Sequence, residues 1–201
     1  MTRQLLLYRV LANPAALFRE LAGEDGALSR SLLSLAMLLL LLPPLFAAIG
    51  GGSFGWRLGT ESPLVLSAEQ VVLISVLYWL LLCFGFFSTV LLAHWMGKTY
   101  GADAKLADYA AFFSIVCAPL SVASAAHLFP HVFFNVLMLL PAVIWSMLLL
   151  YRGLPVVLRI PGEQGMLMAS ALVGWLLVAM VSLLGLSAGL WTVGLGPAIA
   201  A

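Results

Sequence analysis

Charge is what this chain has least of. Nine Lys and Arg and eight Asp and Glu in 201 residues make 8% charged against 64% hydrophobic, where a soluble domain carries roughly 25% charged residues. No soluble fold of this length hides so much apolar surface, and a formal net charge of +1 supplies no basic field for a nucleic acid partner. Cysteine is equally scarce. Cys83 and Cys117 form no C-x-x-C pair and are too few for a disulfide framework; both fall in apolar runs as small buried thiols. Nowhere does the chain contain G-x-S-x-G, H-E-x-x-H or a phosphate-cradling G-x-x-x-x-G-K-S/T. No catalytic residue, metal or cofactor is expected.

What is present in abundance is the uninterrupted apolar run. At about 20 residues per bilayer crossing, five spans can be counted: 31–49, 71–96, 109–128, 132–151 and 166–190. The reading is an all-α membrane protein of five transmembrane helices, with an N-terminal segment 1–30 before them and a tail 191–201 after. Basic residues flanking spans are retained in the cytoplasm. Arg3, Arg9, Arg19, Arg30, Lys98, Lys105, Arg152 and Arg159 all fall on one side of a five-span layout, and Arg57 alone on the other. The split predicts a cytoplasmic N-terminus and a non-cytoplasmic C-terminus. A secretory signal peptide is the competing reading of MLLLLLPPLFAAIGG, but thirty residues with seven charges precede that run, far more than a signal peptide's basic region.

No Asp, Glu, Lys or Arg lies deep in a span, which weakens an ion-coupled transporter, since such machines need ionisable groups near the midplane. Asp103 and Asp108 suit the start of span three, where the helix dipole favours negative charge, and Ser67 with Gln70 makes a capping pattern before span two. His127 and His131 are separated by Pro130 in an outer turn without a third ligand, so they read as interface anchors. His94 beside Trp95 and Lys98 reads as an interface belt.

Helix breakers carry more information. Pro43-Pro44 interrupts span one, Pro119 lies within span three and Pro141 within span four; each removes a backbone hydrogen bond that lipid cannot replace. Kinked spans three and four could enclose a cavity, with Ser121, Ser124 and Asn135 as its polar lining. Gly185 and Gly189 form a G-x-x-x-G pair that allows close helix approach, within the chain or in a homo-oligomer. The glycine-rich GGGSFGWRLG at 50–59 reads as a flexible outer loop. Near the N-terminus, Asn13-Pro14 has the form of a helix start. Leu17, Phe18 and Leu21 then share one face, as in a short helix lying in the cytoplasmic interface or a solvated lead-in to span one.

Between spans four and five the chain reads LYRGLPVVLRIPGEQG. Arg152 and Gly153 have the form of a basic last turn with a glycine cap, while Pro155 and Pro161 forbid continuation. That leaves LPVVLRI, extended or shallowly helical on the membrane, with Arg159 reaching headgroups or a protein partner. Turn chemistry alone explains the stretch; a docking loop is the alternative.

This loop, written YRGLPVVLRIPGEQG, resembles the corresponding loop of the bacterial branch of the Yip family, whose eukaryotic members associate with Rab GTPases. NPAALFREL and AHWMGKTYGADAKLADYAAFFSIVCAPL are similar too, and the resemblance covers roughly residues 5–186. It implies a bacterial inner-membrane protein with five helices, a cytoplasmic N-terminus and a non-cytoplasmic C-terminus. It also carries Tyr109 and Pro119 over as the family's tyrosine-to-proline element, and Pro155 and Pro161 as its loop prolines. The chain departs from eukaryotic members by having about 30 residues before span one and no acidic-tyrosine motif, and Asp108 stands where a glycine would precede the tyrosine. The role implied is non-enzymatic. Two function classes follow: a scaffold or adaptor with membrane lipids and a cytoplasmic protein as partners, presenting residues 1–30, 97–108 and 152–165, or a small permease or channel through the kinked spans.

Overall fold

The computed structural model describes residues 3–23, 26–55, 57 and 67–192, and every regular element among them is helical. Two short helices, α1 (Arg3–Ala12) and α2 (Pro14–Ala22), precede five long ones. These are α3 (Gly26–Phe54), α4 (Ala68–Thr99), α5 (Leu106–Ala123), α6 (Val132–Leu158) and α7 (Gly162–Thr192), and a 3-10 turn at Ser124–Leu128 extends α5. All five are long and apolar enough to cross a membrane.

The centre of the bundle is α5. From Asp108 to Ile115 every residue is buried, so this helix has no outward stripe and is enclosed by α3, α4 and α6, with α7 packed on α4 and α6. A helix apolar all round belongs inside. At the other extreme α4 buries only Phe86, Thr89, Val90, Ala93 and Gly97, all in its second half. Leu73, Ile74, Trp79 and Leu80 of its first half are exposed, as expected of side chains that meet lipid.

Burial is concentrated towards one end. Phe18, Leu32, Tyr109, Phe112, Leu154 and Met168 belong to one continuous core where α1, α2, the start of α3, the α4–α5 loop and the α6–α7 turn converge. Arg9, Arg19, Arg30, Lys98, Lys105, Arg152 and Arg159 sit on these elements or in the last two turns of α4 and α6 that lead into them, which makes this the basic end. Arg57 lies at the far end, where its backbone pairs with the stretch around His131: Arg57 N–H donates to Pro130 O at 2.9 Å and Val132 N–H to Arg57 O at 3.3 Å.

Several sequence expectations change here. Residues 50–54 are not loop: α3 runs through Gly50, Gly51 and Gly52 to Phe54. The reason is contact, because a Cβ on Gly50 would come within 2.1 Å of His127 O, so glycine there lets the 3-10 turn press against α3. Trp56, Leu58 and Gly59 of that stretch lie outside the described residues. Pro43 and Pro44 do not interrupt span one; both are buried within a continuous helix, turned to its neighbours. Gly153 does not cap span four either. α6 continues through Pro155 to Leu158 and ends at Arg159, whose φ of 54° and ψ of 39° are left-handed, so the turn between spans is far shorter than LPVVLRI. Pro155 forfeits only the one hydrogen bond that its missing N–H would have made to residue 151, and the helix survives that. α7 then begins at Gly162.

The N-terminal helix is capped as its sequence suggests, with Asn13 accepting from Ala16 N–H at 3.3 Å and Pro14 in the first turn. Its apolar face does not lie in lipid. Leu17, Phe18 and Leu21 are buried against the bundle, and an Arg9–Glu20 ion pair ties α1 to α2.

Candidate functional site

Three small-residue slots set how closely the helices meet at the basic end. A Cβ on Gly153 would lie 2.6 Å from Phe112 Cε2 and 2.6 Å from Phe18 Cζ. The two rings pack tilted with centroids 5.7 Å apart, so one glycine on α6 admits an aromatic pair that joins α2 to α5. On α7, a Cβ on Gly165 would lie 2.7 Å from Pro155 Cβ, which seats the loop proline directly on the next helix. The third slot is Gly97 of α4, over which the Tyr109 hydroxyl lies, 1.8 Å from where a Cβ would stand.

Tyr109 is 0% exposed, and its ring meets the edge of His94 with centroids 5.2 Å apart. Both the Tyr109 hydroxyl and His94 Nδ1 are buried without a hydrogen-bond partner. His94 therefore turns inward, away from the exposed Trp95. The spacing His94-x-x-Gly97, one face of a helix, was the signal available for this cluster.

Beside Tyr109, Asp108 works as a clasp. Its Oδ1 accepts from Ser29 Oγ at 2.8 Å and its Oδ2 from Lys105 N–H at 3.0 Å, so one buried carboxylate caps α5 and fastens it to α3. Asp108 also lines a cleft of about 140 Å³ with Leu21, Asp103 and Arg159 among its walls. Helix ends, the α4–α5 loop and one short turn build this cleft, with Asp108 on a helix, Asp103 on the loop and Arg159 on the turn. Arg159 at its lip holds a left-handed conformation, which costs a residue with a Cβ about 1–2 kcal/mol and which glycine adopts freely.

The other sequence-predicted residues are dispersed. Arg152 is exposed on α6 and faces α2 across a separate groove, and Pro161 is exposed in the α6–α7 turn. Pro119 is buried in α5 and Ser121 just beyond it. Ser124 Oγ donates to Ser121 O at 2.6 Å. Asn135 is at the far end, where Nδ2 donates to Phe129 O at 2.8 Å and His131 O at 3.0 Å while Oδ1 meets His127 Nδ1. Pro141 points outward. A Cβ on Gly185 would meet nothing within 4 Å, and what surrounds Gly189 lies outside the described residues.

Comparison with known proteins now decides the family. The Yip1 domain matches residues 8–195, nearly the whole chain, and takes in all five long helices complete. The chain belongs to the Yip1 family. The inner membrane protein YohC of Escherichia coli K12 is 25% identical over 188 residues, covering 94% of this chain and 96% of the relative; YohC of strain CFT073 matches equally. No solved structure matches. With five apolar helices and this kinship, the chain is a multi-pass inner membrane protein. The elements quoted for the Yip resemblance, Tyr109 to Pro119 and Pro155 to Pro161, fall in or beside the glycine-lined contacts of the basic end, apart from Pro119 deeper in α5.

Proposed function

We propose that this Yip1-family protein is a non-enzymatic scaffold or adaptor whose basic end faces the cytoplasm and docks a protein partner at the cleft between the α4–α5 loop and the α6–α7 turn. The observation that carries the reading is Arg159: a long cationic side chain held at the lip of a preformed cleft, at a backbone position where glycine costs less. Strained residues on a scaffold that over-determines them mark binding sites more often than chance, and a site on helix ends is presented without prior ordering. The permease or channel alternative is less well supported, because Ser124 and Asn135 spend their polar groups on nearby backbone and side chains.

Stability and docking should part company at this residue. Arg159→Gly is expected to raise stability by about 1 kcal/mol through relief of the left-handed strain, and Arg159→Glu to change it by no more than about 0.5 kcal/mol. Both are expected to abolish docking. Photo-crosslinkers placed at residues 103 and 104, which line the same cleft, should capture one discrete protein in native membranes, lost in either variant, whereas crosslinkers at 54 and 129 should not. Capture that survives both substitutions would sink the reading.

A further inference from the structure

A second feature of the basic end lies on its lipid-facing flank. α2 and α6 enclose a groove of about 470 Å³. On α6 its wall is Trp145, Leu148, Leu149 and Arg152, the i, i+3, i+4, i+7 pattern of one helix face; on α2 it is Phe18 and Arg19. We propose that this groove is a binding site for an anionic glycerophospholipid, with an acyl chain along Trp145, Leu148 and Leu149 and the phosphate between Arg19 and Arg152.

Charge and depth both favour a lipid. No acidic residue lines the groove, so its two guanidinium groups face an apolar trough with nothing in its walls to neutralise them. Both arginines are exposed, and Arg19 Nε donates to Ala15 O at 3.3 Å, which draws that side chain back along the wall. Arginine suits phosphate because its planar fork offers paired donors to paired oxygens. From Arg152 to Trp145 is seven residues, roughly 10 Å along the helix axis, enough to run from headgroup level into the hydrocarbon. Trp145 and Leu148 are about half exposed, which leaves the trough open towards the membrane. A soluble anion would use the arginines and leave the trough empty; a zwitterionic lipid would use the trough and gain little from the arginines. The site is distinct from the docking cleft at Arg159 and does not depend on it.

Native mass spectrometry of the full chain tests this, using protein released from nanodiscs of equal phosphatidylglycerol and phosphatidylcholine. Retention of phosphatidylglycerol is expected to exceed that of phosphatidylcholine by about 25-fold, from roughly fivefold for each of two arginines near a headgroup. Arg19→Gln with Arg152→Gln should erase that preference, whereas Arg30→Gln with Lys98→Gln, basic residues outside the groove, should keep it. Leu148→Trp, which fills the trough from an exposed position, should lower retention of both lipids even if the arginine pair variant proves unstable. Millimolar glycerol phosphate should not displace the lipid. The proposal is overturned by equal loss in the control pair, by unchanged retention in Leu148→Trp, or by displacement with glycerol phosphate.

Discussion

Glycine decides the packing of the basic end, and each position can be separated from its neighbours by experiment. A Cβ on Gly153 would meet two aromatic rings at 2.6 Å, whereas one on Gly85 of α4 would meet nothing within 4 Å. Gly153→Ala is therefore expected to destabilise by about 1–3 kcal/mol, the usual range for overpacking. Gly85→Ala should be neutral or stabilising by up to about 1 kcal/mol, since only the helix propensity changes. Thermal melts in one detergent compare them, and equal shifts would refute the slot. Asp108 offers a second test. Asp108→Asn keeps the shape but weakens two charge-assisted hydrogen bonds, a loss of about 1.5–3 kcal/mol; with Ser29→Ala the combined loss should be smaller than the sum, because the two share one bond. At this scale the sequence was only partly legible. Asp108 could be placed at a helix start from the dipole argument alone, but its bond to Ser29 joins residues 79 apart, and no local pattern reveals such a partner. The sequence marked Gly153 as special and assigned it the wrong reason, since a helix cap and a slot for a neighbour's ring both call for glycine.

Among the elements, the long helices were read well because a bilayer demands a length of apolar chain that few other features imitate. Their ends were read less well. Helices α3 and α6 both run past the places where glycine or proline suggested a stop, because packing against the 3-10 turn calls for glycine at residue 50 within the helix and the single lost bond at Pro155 is outweighed by the helix on either side. The short helix α2 shows the same limit from another direction: an apolar face of Leu17, Phe18 and Leu21 fits lipid or protein equally, and only the neighbours determine which. If the docking of α2 is what holds the N-terminal hairpin, Phe18→Ala should cost about 3–5 kcal/mol and expose Arg9 and Arg19 to trypsin in detergent while α3 to α7 stay intact. Unchanged cleavage would argue that α2 is held by the Arg9–Glu20 pair and its covalent link instead.

For the whole molecule, the segregation of basic residues to one end makes orientation the first quantity to measure. Reporter fusions should place residues 30 and 160 in the cytoplasm and residues 60 and 201 outside, following the retention of Lys and Arg. A cytoplasmic reporter at residue 201 would require an even number of crossings if residue 30 is also inside; with residue 30 outside it would invert the bundle and remove the proposed docking face from reach of any cytoplasmic partner. Gly185 and Gly189 bear on assembly at this same scale: among the described residues nothing lies within 4 Å of a Cβ on Gly185, which leaves room there for a second copy to pack closely.

The uneven placement of the core has a mechanical consequence. Among its described residues α7 buries only Gly165, Met168, Ala169 and Leu172, all within its first three turns. A force probe drawing on the C-terminus would thus peel most of the last helix out of the bilayer against lipid alone, then meet an abrupt rise in tension near Leu172, where the load first reaches the interlocked helices. The molecule should behave under load as a rigid clasp with a compliant tail, and the sharpest rupture should be recorded only after the outer part of α7 has been extracted.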